Sequence, residues 1–280
     1  MGARVQALPD GRWHLNHGPI DVILTVDGPG AAAGRSRALA RFEGLLEELV
    51  AELPLLRAAT KPEILPAGPV ARAMWAATLP FRPAFITPMA AVAGAVAEAL
   101  VLAARGPGVT RIIANNGGDI AVWLAPGERA TAVLAAAADT RVTLAATDGI
   151  GGIATSGWRG RSHSLGIADA VTIMAATAPA ADAAATMIAN ALDLPGHPAV
   201  TRIPAWTLAP DSDLGTRPVT VAVGPLSPDE VARALDNGLA EARRLAHAGL
   251  LRAAHLTLVG QTRTCDTAAH FLPRTETADA

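Results

Sequence analysis

The chain has 280 residues, of which 51% are apolar and 17% charged, a composition that excludes disorder along most of its length. Its 23 basic and 25 acidic residues give a net charge of -2, so it lacks the basic face that duplex nucleic acid requires. Cys265 is the only cysteine, which excludes an internal disulfide and a thiolate metal cluster. The N-terminal residues carry no apolar signal segment, and together these features predict a cytoplasmic protein.

The N-terminal half of the chain is predicted to alternate strand pairs with helices. Short β-prone runs, separated by turn residues, precede a segment of helical periodicity, and a second strand pair flanks an Asn-Gly turn. The predicted strands of this half are residues 4–8, 12–17, 21–26, 109–114 and 120–124. The predicted helices are residues 39–53, 70–78 and 87–104.

The segment of residues 87–104 is apolar enough to raise the question of a membrane span. It has the minimum length for crossing a bilayer, but Glu98 lies in its middle and much of its apolar character comes from alanine. Thr87 and Pro88 suit the N-cap and first turn of a helix. We therefore expect a buried core helix and no membrane partner.

The second half of the chain repeats this order of strands and helices. The predicted strands are residues 131–135, 141–145, 169–175, 219–223 and 255–260. The predicted helices are residues 179–190 and 227–249, the second with Ser227 as N-cap and Pro228 at its first position. Glycine-rich loops are predicted at residues 149–152 and 155–160. Hairpins in this order predict an α+β fold, with antiparallel sheets and helices packed on one face.

The domain organisation follows from this repetition. We expect a single domain over residues 1–264, made of two intimately packed halves at about 1–128 and 129–264. Residues 265–280 show no periodic pattern and are expected to form a disordered tail.

The clearest candidate for chemistry is the segment ADAAAT at residues 181–186. Asp182 and Thr186 are one helical turn apart and therefore share a helix face. A carboxylate and a hydroxyl supply hard oxygen ligands, which suit Mg²⁺ or Ca²⁺. The alternative, which the sequence alone favours, is a solvent-facing aspartate and a core threonine.

A second candidate is the polar, glycine-rich run from Thr155 through Ser156 and Gly157. Its small residues expose backbone amides, and Arg159 and Arg161 add fork-shaped donors for a phosphate. The run has the composition of an anion cradle, although it contains neither a Walker motif nor a G-x-G-x-x-G. The alternative is a flexible polar loop.

The turn between residues 114 and 120 holds more polar side chains than a hairpin needs. Asn116, Gly117, Gly118 and Asp119 follow Asn115 directly. An Asn-Gly pair alone makes a type I′ turn, so the extra side chains either line a pocket or bond to the turn itself.

Two further features carry weaker signals. Asp211 and Asp213 form either a second metal locus or an Asx-rich loop, and the loop is the favoured interpretation. Of the histidines, only His163 lies within a segment of interest, and their spacing does not support a zinc site.

Taken together and in order, these segments resemble the ApbE superfamily, the flavin transferases that move FMN from FAD onto a protein threonine. The matching features are GGD at residues 117–119, TSG at 155–157, His163, and ADAAAT at 181–186. More closely, the runs HGPIDV, ITPMAAVAGAVA, NNGGDIA, IATSGW, SLGIADAVT, ADAAATMIANAL and DSDLG resemble an ApbE-like family of bacteria and archaea. The resemblance covers about residues 18–260.

The resemblance implies an ApbE-like fold of tandem T-fold-type ββααββ units. It implies that Asp182 and Thr186 hold Mg²⁺ beside a flavin pyrophosphate. Residues 155–157 would lie near that pyrophosphate, and residues 117–119 near the nucleotide. The implied ligand is FAD or FMN, the implied partner is an acceptor protein, and a homodimer is expected because T-fold sheets commonly associate.

The sequence departs from the transferases after His163. There the histidine leads into H-I-x-D-P-x-T-G, whereas here SLGIADA follows and the D-P-x-T-G is absent. Asp169 and His163 are the candidate catalytic residues for proton transfer.

Three functions fit these features. The favoured one is a Mg²⁺-dependent enzyme acting on a flavin nucleotide or a similar pyrophosphate-containing ligand. The second is a non-catalytic flavin- or nucleotide-binding module or accessory subunit. The third is a repurposed pocket acting on another small metabolite, for example in sulfur or amino-acid metabolism, because a fold alone does not determine function.

Overall fold

Strand pairs and helices alternate along the chain. The computed structural model describes residues 2–134, 137–160, 162–266 and 270–273. In these residues, strands β1 to β14 are Arg4–Ala7, Trp13–His17, Ile20–Asp27, Arg111–Asn116, Asp119–Leu124, Arg129–Leu134, Ala137–Ala145, Gly152–Ser156, Ala170–Ala175, Val200–Pro204, Pro218–Val223, Ala253–Leu258, Gln261–Asp266 and Phe271–Pro273. Helices α1 to α8 are Ala31–Phe42, Leu45–Ala51, Leu53–Leu56, Pro69–Thr78, Val92–Ala104, Ala178–Ala191, Ala205–Leu208 and Pro228–His247.

A central antiparallel sheet joins the two halves of the chain. Nine of the described strands form it, in the order β1-β2-β3-β4-β5-β8-β9-β12-β13. Strands β2 to β5 with α1 and α5 make one ββααββ unit. Strands β8, β9, β12 and β13 with α6 and α8 make the other. The predicted α+β class with antiparallel sheets is therefore confirmed, and the units meet where β5 pairs with β8, at Ile120–Ile153 and Ala121–Gly152.

The two faces of the central sheet are covered differently. Because side chains alternate along a strand, Ala114 and Ala121 face the helices, in a core that runs from Leu15 to Leu258. Val122 faces the other way, into a smaller core beneath the three-stranded sheet β14-β7-β6. The helices thus pack on one face, as predicted, while a second sheet covers the opposite face.

Several predicted boundaries are wrong for identifiable reasons. The single helix predicted at residues 39–53 is divided into α1, α2 and α3, because Gly44 adopts a positive φ of 76° between the first two. Strand β8 includes residues 152, 155 and 156, which were predicted to lie in the two glycine-rich loops. A Cβ on Gly152 would lie 2.2 Å from Cα of Ala178, so this glycine permits close helix–strand contact and does not mark a turn.

The C-terminal segment also differs from the expectation. Strand β13 continues through Asp266, and β14 pairs with β7 through Phe271 and Val142. The ring of Phe271 lies 5.4 Å from that of His255, which gives this short strand an apolar anchor. The prediction of a disordered tail from residue 265 therefore does not hold for β14. Residues 267–269 and 274–280 lie outside the described residues.

The apolar segment of residues 87–104 forms a single 3₁₀ turn at Pro88–Ala91, followed by α5. Helix α5 is buried along much of its length against α1, α6 and the sheet. Among the described residues, every helix is too short or too polar to cross a membrane.

Helices α5 and α6 touch at their N-terminal turns. A Cβ on Gly94 would lie 2.4 Å from the carbonyl oxygen of Ala178. The Gly94 amide donates to Oδ2 of Asp182 at 3.0 Å, and the Ala178 amide donates to Oε1 of Glu98 at 3.4 Å. Each helix therefore supplies a carboxylate to the N-terminal amides of the other, where the helix dipole favours negative charge.

This contact predicts that Gly94→Ala destabilises the protein. The new methyl group would overlap backbone that belongs to α6, and overpacking of this kind costs about 1–3 kcal/mol or more. In thermal unfolding, each kcal/mol lowers the midpoint by roughly 2–4 °C for a chain of this size class. Gly224→Ala is the matched control, because its Cβ would make only ordinary contacts; equal losses in the two variants would contradict the argument.

Helix α8 begins with the predicted cap. The Ser227 hydroxyl accepts from the Glu230 amide, and the Ser227 amide donates to the Glu230 carboxylate at 2.8 Å. His197 Nε2 lies 2.9 Å from the other carboxylate oxygen. The Ser227 amide, followed by His197, lowers the pKa of Glu230 to about 2.

Since the folded-state pKa of Glu230 is lowered, its stabilising effect is complete above the ordinary value of 4.5 and is lost as the pH falls through about 2. Glu230→Gln should therefore lower the unfolding midpoint at pH 7, and the difference from wild type should vanish between pH 4.5 and 2. Asp229→Asn, in the same helical turn, provides the control. A difference that persists undiminished at pH 2 would show that Glu230 acts through packing and not through charge.

Candidate functional site

The antiparallel register collects most of the predicted site residues at one end of the central sheet. The C-terminal ends of β4 and β8 and the N-terminal ends of β5 and β9 lie together there. Asn116, Asp119, Ser156 and Asp169 occupy or flank these strand ends. Segments far apart in sequence therefore converge at this end of the sheet.

Asp182 projects from the second turn of α6 towards the first turn of α5. The amides of Ala93 and Gly94 donate to its carboxylate, the latter at 3.0 Å. Burial, and then the nearby carboxylate of Asp119, raise the pKa of Asp182 well above its usual range despite these two donors. Burial beside a second acid thus favours the protonated form of Asp182, whereas a bound cation would favour its charged form.

Asp119 sits where the two ββααββ units join. Its Oδ1 accepts from the Thr155 amide at 3.2 Å, a bond between the first residue of β5 and the end of β8. By strand alternation its side chain shares the helix-facing side with Ala121. This bond fixes one carboxylate of the pair relative to the sheet junction.

Thr186 follows Asp182 by one turn on the same face of α6 and is half-buried. One further turn along the helix, Asn190 accepts from the Leu165 amide at 2.9 Å and from the Ser164 hydroxyl at 3.4 Å. Asn190 thereby holds the segment that follows His163. Sequence reasoning missed it, although its spacing of four from Thr186 continues the pattern that identified Asp182.

The loop predicted at residues 155–160 begins two residues later than expected. Thr155 and Ser156 are the last residues of β8, and Oγ1 of Thr155 lies 2.8 Å from Oγ1 of Thr172 on the sheet face away from the helices. Since its amide bonds to Asp119, Thr155 supports the site through its backbone. Gly157 is required by packing, because a Cβ there would lie 2.5 Å from the carbonyl oxygen of Asp169.

Asp169 has both carboxylate oxygens engaged. Oδ1 accepts from Nε of Arg159 at 3.1 Å, and Oδ2 accepts from the Val259 amide at 2.7 Å. The Arg159 guanidinium also lies 4.4 Å from the Trp158 ring. Asp169 therefore positions the neighbouring loops. His163, which precedes Asp169 in the chain, is half-buried. Arg161 lies outside the described residues.

The turn residues divide between the two interpretations that the sequence left open. Gly117 and Gly118 take positive φ angles of 67° and 116°, and the Gly118 amide bonds to Oδ1 of Asn115 at 2.8 Å, so these three make the turn. Asn116 instead donates to the Ala93 carbonyl at 3.2 Å. It ties the start of α5 to the sheet end that carries Asp119.

The loop containing Asp211 and Asp213 also approaches this region. The Thr87 hydroxyl, just before the turn that precedes α5, donates to Oδ2 of Asp213, while Asp211 is exposed. This geometry favours the loop interpretation. Among the described residues, no group of three or more His, Cys, Asp or Glu side chains could hold a metal.

Comparison with known proteins places the chain in a family. A family model described as AbpE bacteria matches residues 5–264. The chain belongs to this family. The match confirms the resemblance to an ApbE-like family that the motifs predict.

Similar proteins include UPF0280 proteins of two archaea. That of Methanopyrus kandleri is 37% identical over 177 residues, which cover 61% of this chain and 69% of that protein. That of Methanospirillum hungatei is 33% identical over 176 residues, covering 59% and 67%. The crystal structure of Pseudomonas stutzeri flavinyl transferase ApbE, apo form, aligns over 96% of this chain and 97% of that chain, with 15% identity and a TM-score of 0.42.

The donor set at the centre of the family's matched region suits a hard cation. Asp119, Asp182 and Thr186 offer oxygen atoms only, and the carboxylate of Asp119 contributes to the raised pKa of Asp182. Mg²⁺ is commonly held by one or two carboxylates, with water and substrate phosphates completing its octahedral shell. A Mg²⁺ site therefore does not require a cluster of three acidic side chains.

The burial of Asp182, close to a second carboxylate, predicts that Asp182→Asn stabilises the metal-free protein. Asparagine keeps an oxygen that can accept from the Gly94 amide but removes the buried charge beside Asp119. In EDTA at neutral pH, we expect the unfolding midpoint to rise by roughly 2–4 °C, as about 1 kcal/mol would produce. Asp211→Asn, which removes an exposed charge, is the control. A lower midpoint in Asp182→Asn alone would show that the charge itself stabilises the fold.

Proposed function

We propose that the protein is a Mg²⁺-dependent ApbE-like enzyme that acts on FAD, FMN or a similar pyrophosphate-containing ligand. The observation that carries this proposal is the pairing of Asp119 with the desolvated Asp182 at the end of the sheet. Carboxylates whose pKa is strongly perturbed are typical of functional sites, and a bound cation would favour the charged form of Asp182.

In this proposal, Asp119, Asp182 and Thr186 hold the cation from two sides. Asp182 comes from α6 and is oriented by α5, while Asp119 comes from β5 and is oriented by β8. When bound, Mg²⁺ neutralises charge that develops on a pyrophosphate. The site is preorganised because both carboxylates are fixed by backbone amides, which do not rearrange during a reaction.

The neighbouring residues then bind and orient the ligand. Asn116, Gly117 and Gly118 border the proposed nucleotide pocket, together with Ser156 at the end of β8 and Gly157 directly after it. Arg159 is exposed, and its bond to Asp169 uses Nε, so its remaining N–H groups can donate to phosphate oxygens.

Titration of FAD into the purified protein, followed by flavin fluorescence, tests this proposal. We expect micromolar binding with Mg²⁺ and much weaker binding in EDTA. Asp182→Asn should abolish the Mg²⁺ dependence and Mg²⁺-dependent turnover, whereas Asp211→Asn should retain both. Equal FAD binding with Mg²⁺ and with EDTA would contradict the proposed role of the metal. The absence of binding in both conditions would contradict the proposal of a flavin ligand.

A second candidate function is ligand binding without turnover. It is favoured by Asp169, whose two oxygens already accept bonds from Arg159 and the Val259 amide and which is therefore poorly placed to transfer a proton. Mass spectrometry of the protein and solution after incubation with FAD and Mg²⁺ distinguishes the two. Transferred or released FMN supports the enzyme, while intact FAD retained after prolonged incubation supports the binding module.

A further inference from the structure

A cavity of about 500 Å³ lies beside the C-terminal end of α8. Its volume falls within the range of small-molecule sites. The described residues that line it are Arg243, Ala246, His247, Leu251, Arg252 and Cys265. The chain reverses at Gly249, whose φ is 73°, so the residues that enter β12 return alongside the last turns of the helix.

This cavity is separate from the site around Asp182. It adjoins the N-terminal end of β12 and the C-terminal end of β13, where Ala253 pairs with Asp266 and Met174. The candidate functional site lies at the opposite strand ends, where Thr257 pairs with Ala170. The two sites therefore occupy opposite ends of the same half of the sheet.

The polar lining of the cavity is basic. Arg243 and His247 are one turn apart and share a face of α8, and Arg252 approaches from beyond the turn. Cationic groups near a helix C-terminus complement the helix dipole, and this accounts for Arg243 and His247 on α8. Arg252 lies outside the helix, so the dipole does not account for it.

Within the described residues, the guanidinium groups of Arg243 and Arg252 have no carboxylate partner. Arg244, which is also on α8, differs in this respect. Arg244 forms two bonds of 2.7 Å with Glu241. The nearby acid, Asp266, bonds to the Phe271 amide at 2.9 Å and to His270 at 3.0 Å. Two unpaired guanidinium groups around one concavity produce a positive local potential in a chain whose net charge is -2.

We propose that this cavity is a second binding site, which takes a phosphate-bearing small molecule. Guanidinium groups present planar, fork-shaped donors that match phosphate oxygens, and the imidazole of His247 adds a further donor. Ala246 and Leu251 provide an apolar wall for the rest of the ligand. The site is independent of the proposed function at Asp182.

Cys265 makes the proposal directly testable, because it lines the cavity and is the only thiol in the chain. The probe is inorganic pyrophosphate, and the measurement is the rate at which an uncharged maleimide modifies Cys265 in the full-length protein. We expect pyrophosphate to slow the modification in a saturable manner. In Arg243→Gln and in Arg252→Gln, its apparent affinity should fall by about tenfold, the effect of losing one charge-assisted contact.

The matched control is Arg233→Gln, which removes the same charge from an exposed position earlier on α8 and should leave protection unchanged. Thermal unfolding verifies that each variant is folded. Asp182→Asn should also retain protection, so failure here and failure of the proposed function are distinguishable. Equal protection in wild type, Arg243→Gln and Arg252→Gln, no protection in any of them, or equal protection by citrate would each overturn the proposal.

Discussion

The structure depends on the contact between the N-terminal turns of α5 and α6. Gly94 lets the two backbones approach closely, and each helix places a carboxylate on the amides of the other. Burial raises the pKa of both acids, Glu98 and Asp182, because the charged forms lose solvent there. The two helices belong to different ββααββ units, so this contact joins the units on the helix side as the pairing of β5 with β8 joins them in the sheet.

The candidate site arises where these two connections meet. The helix contact fixes Asp182, and the sheet junction fixes Asp119 through the Thr155 amide. Neither unit alone contains both carboxylates together with the backbone groups that orient them. Burial and the nearby Asp119 raise the pKa of Asp182, and a carboxylate perturbed in this way is typical of functional sites.

Much of the fold and part of the candidate site could be predicted from the sequence, because these features depend on local patterns. The alternation of strand pairs and helices predicted the α+β class, Ser227 and Pro228 predicted the start of α8, and the spacing of Asp182 and Thr186 predicted a shared face. The motifs also predicted the family. These signals lie within a few residues of one another, where helix and strand periodicity determine geometry.

The remaining features depend on contacts between distant segments. The sequence gives no indication that Asp182 bonds to Gly94, 88 positions away. The glycines around β8 suggested a loop, because glycine allows close backbone packing as well as turns. Asp169 was predicted as a catalytic residue from its type and position, yet the bonds to Arg159 and Val259 that give it a positioning role appear only in three dimensions.

Crystallography with Mn²⁺ as a substitute for Mg²⁺ tests the central claim most directly, because its anomalous signal locates the ion without reference to any activity. We expect an anomalous peak within coordination distance of the carboxylates of both Asp119 and Asp182, and its loss in crystals of Asp182→Asn. If no peak appears there at saturating Mn²⁺, or if it persists unchanged in Asp182→Asn, the paired carboxylates are not a metal site and the account is contradicted.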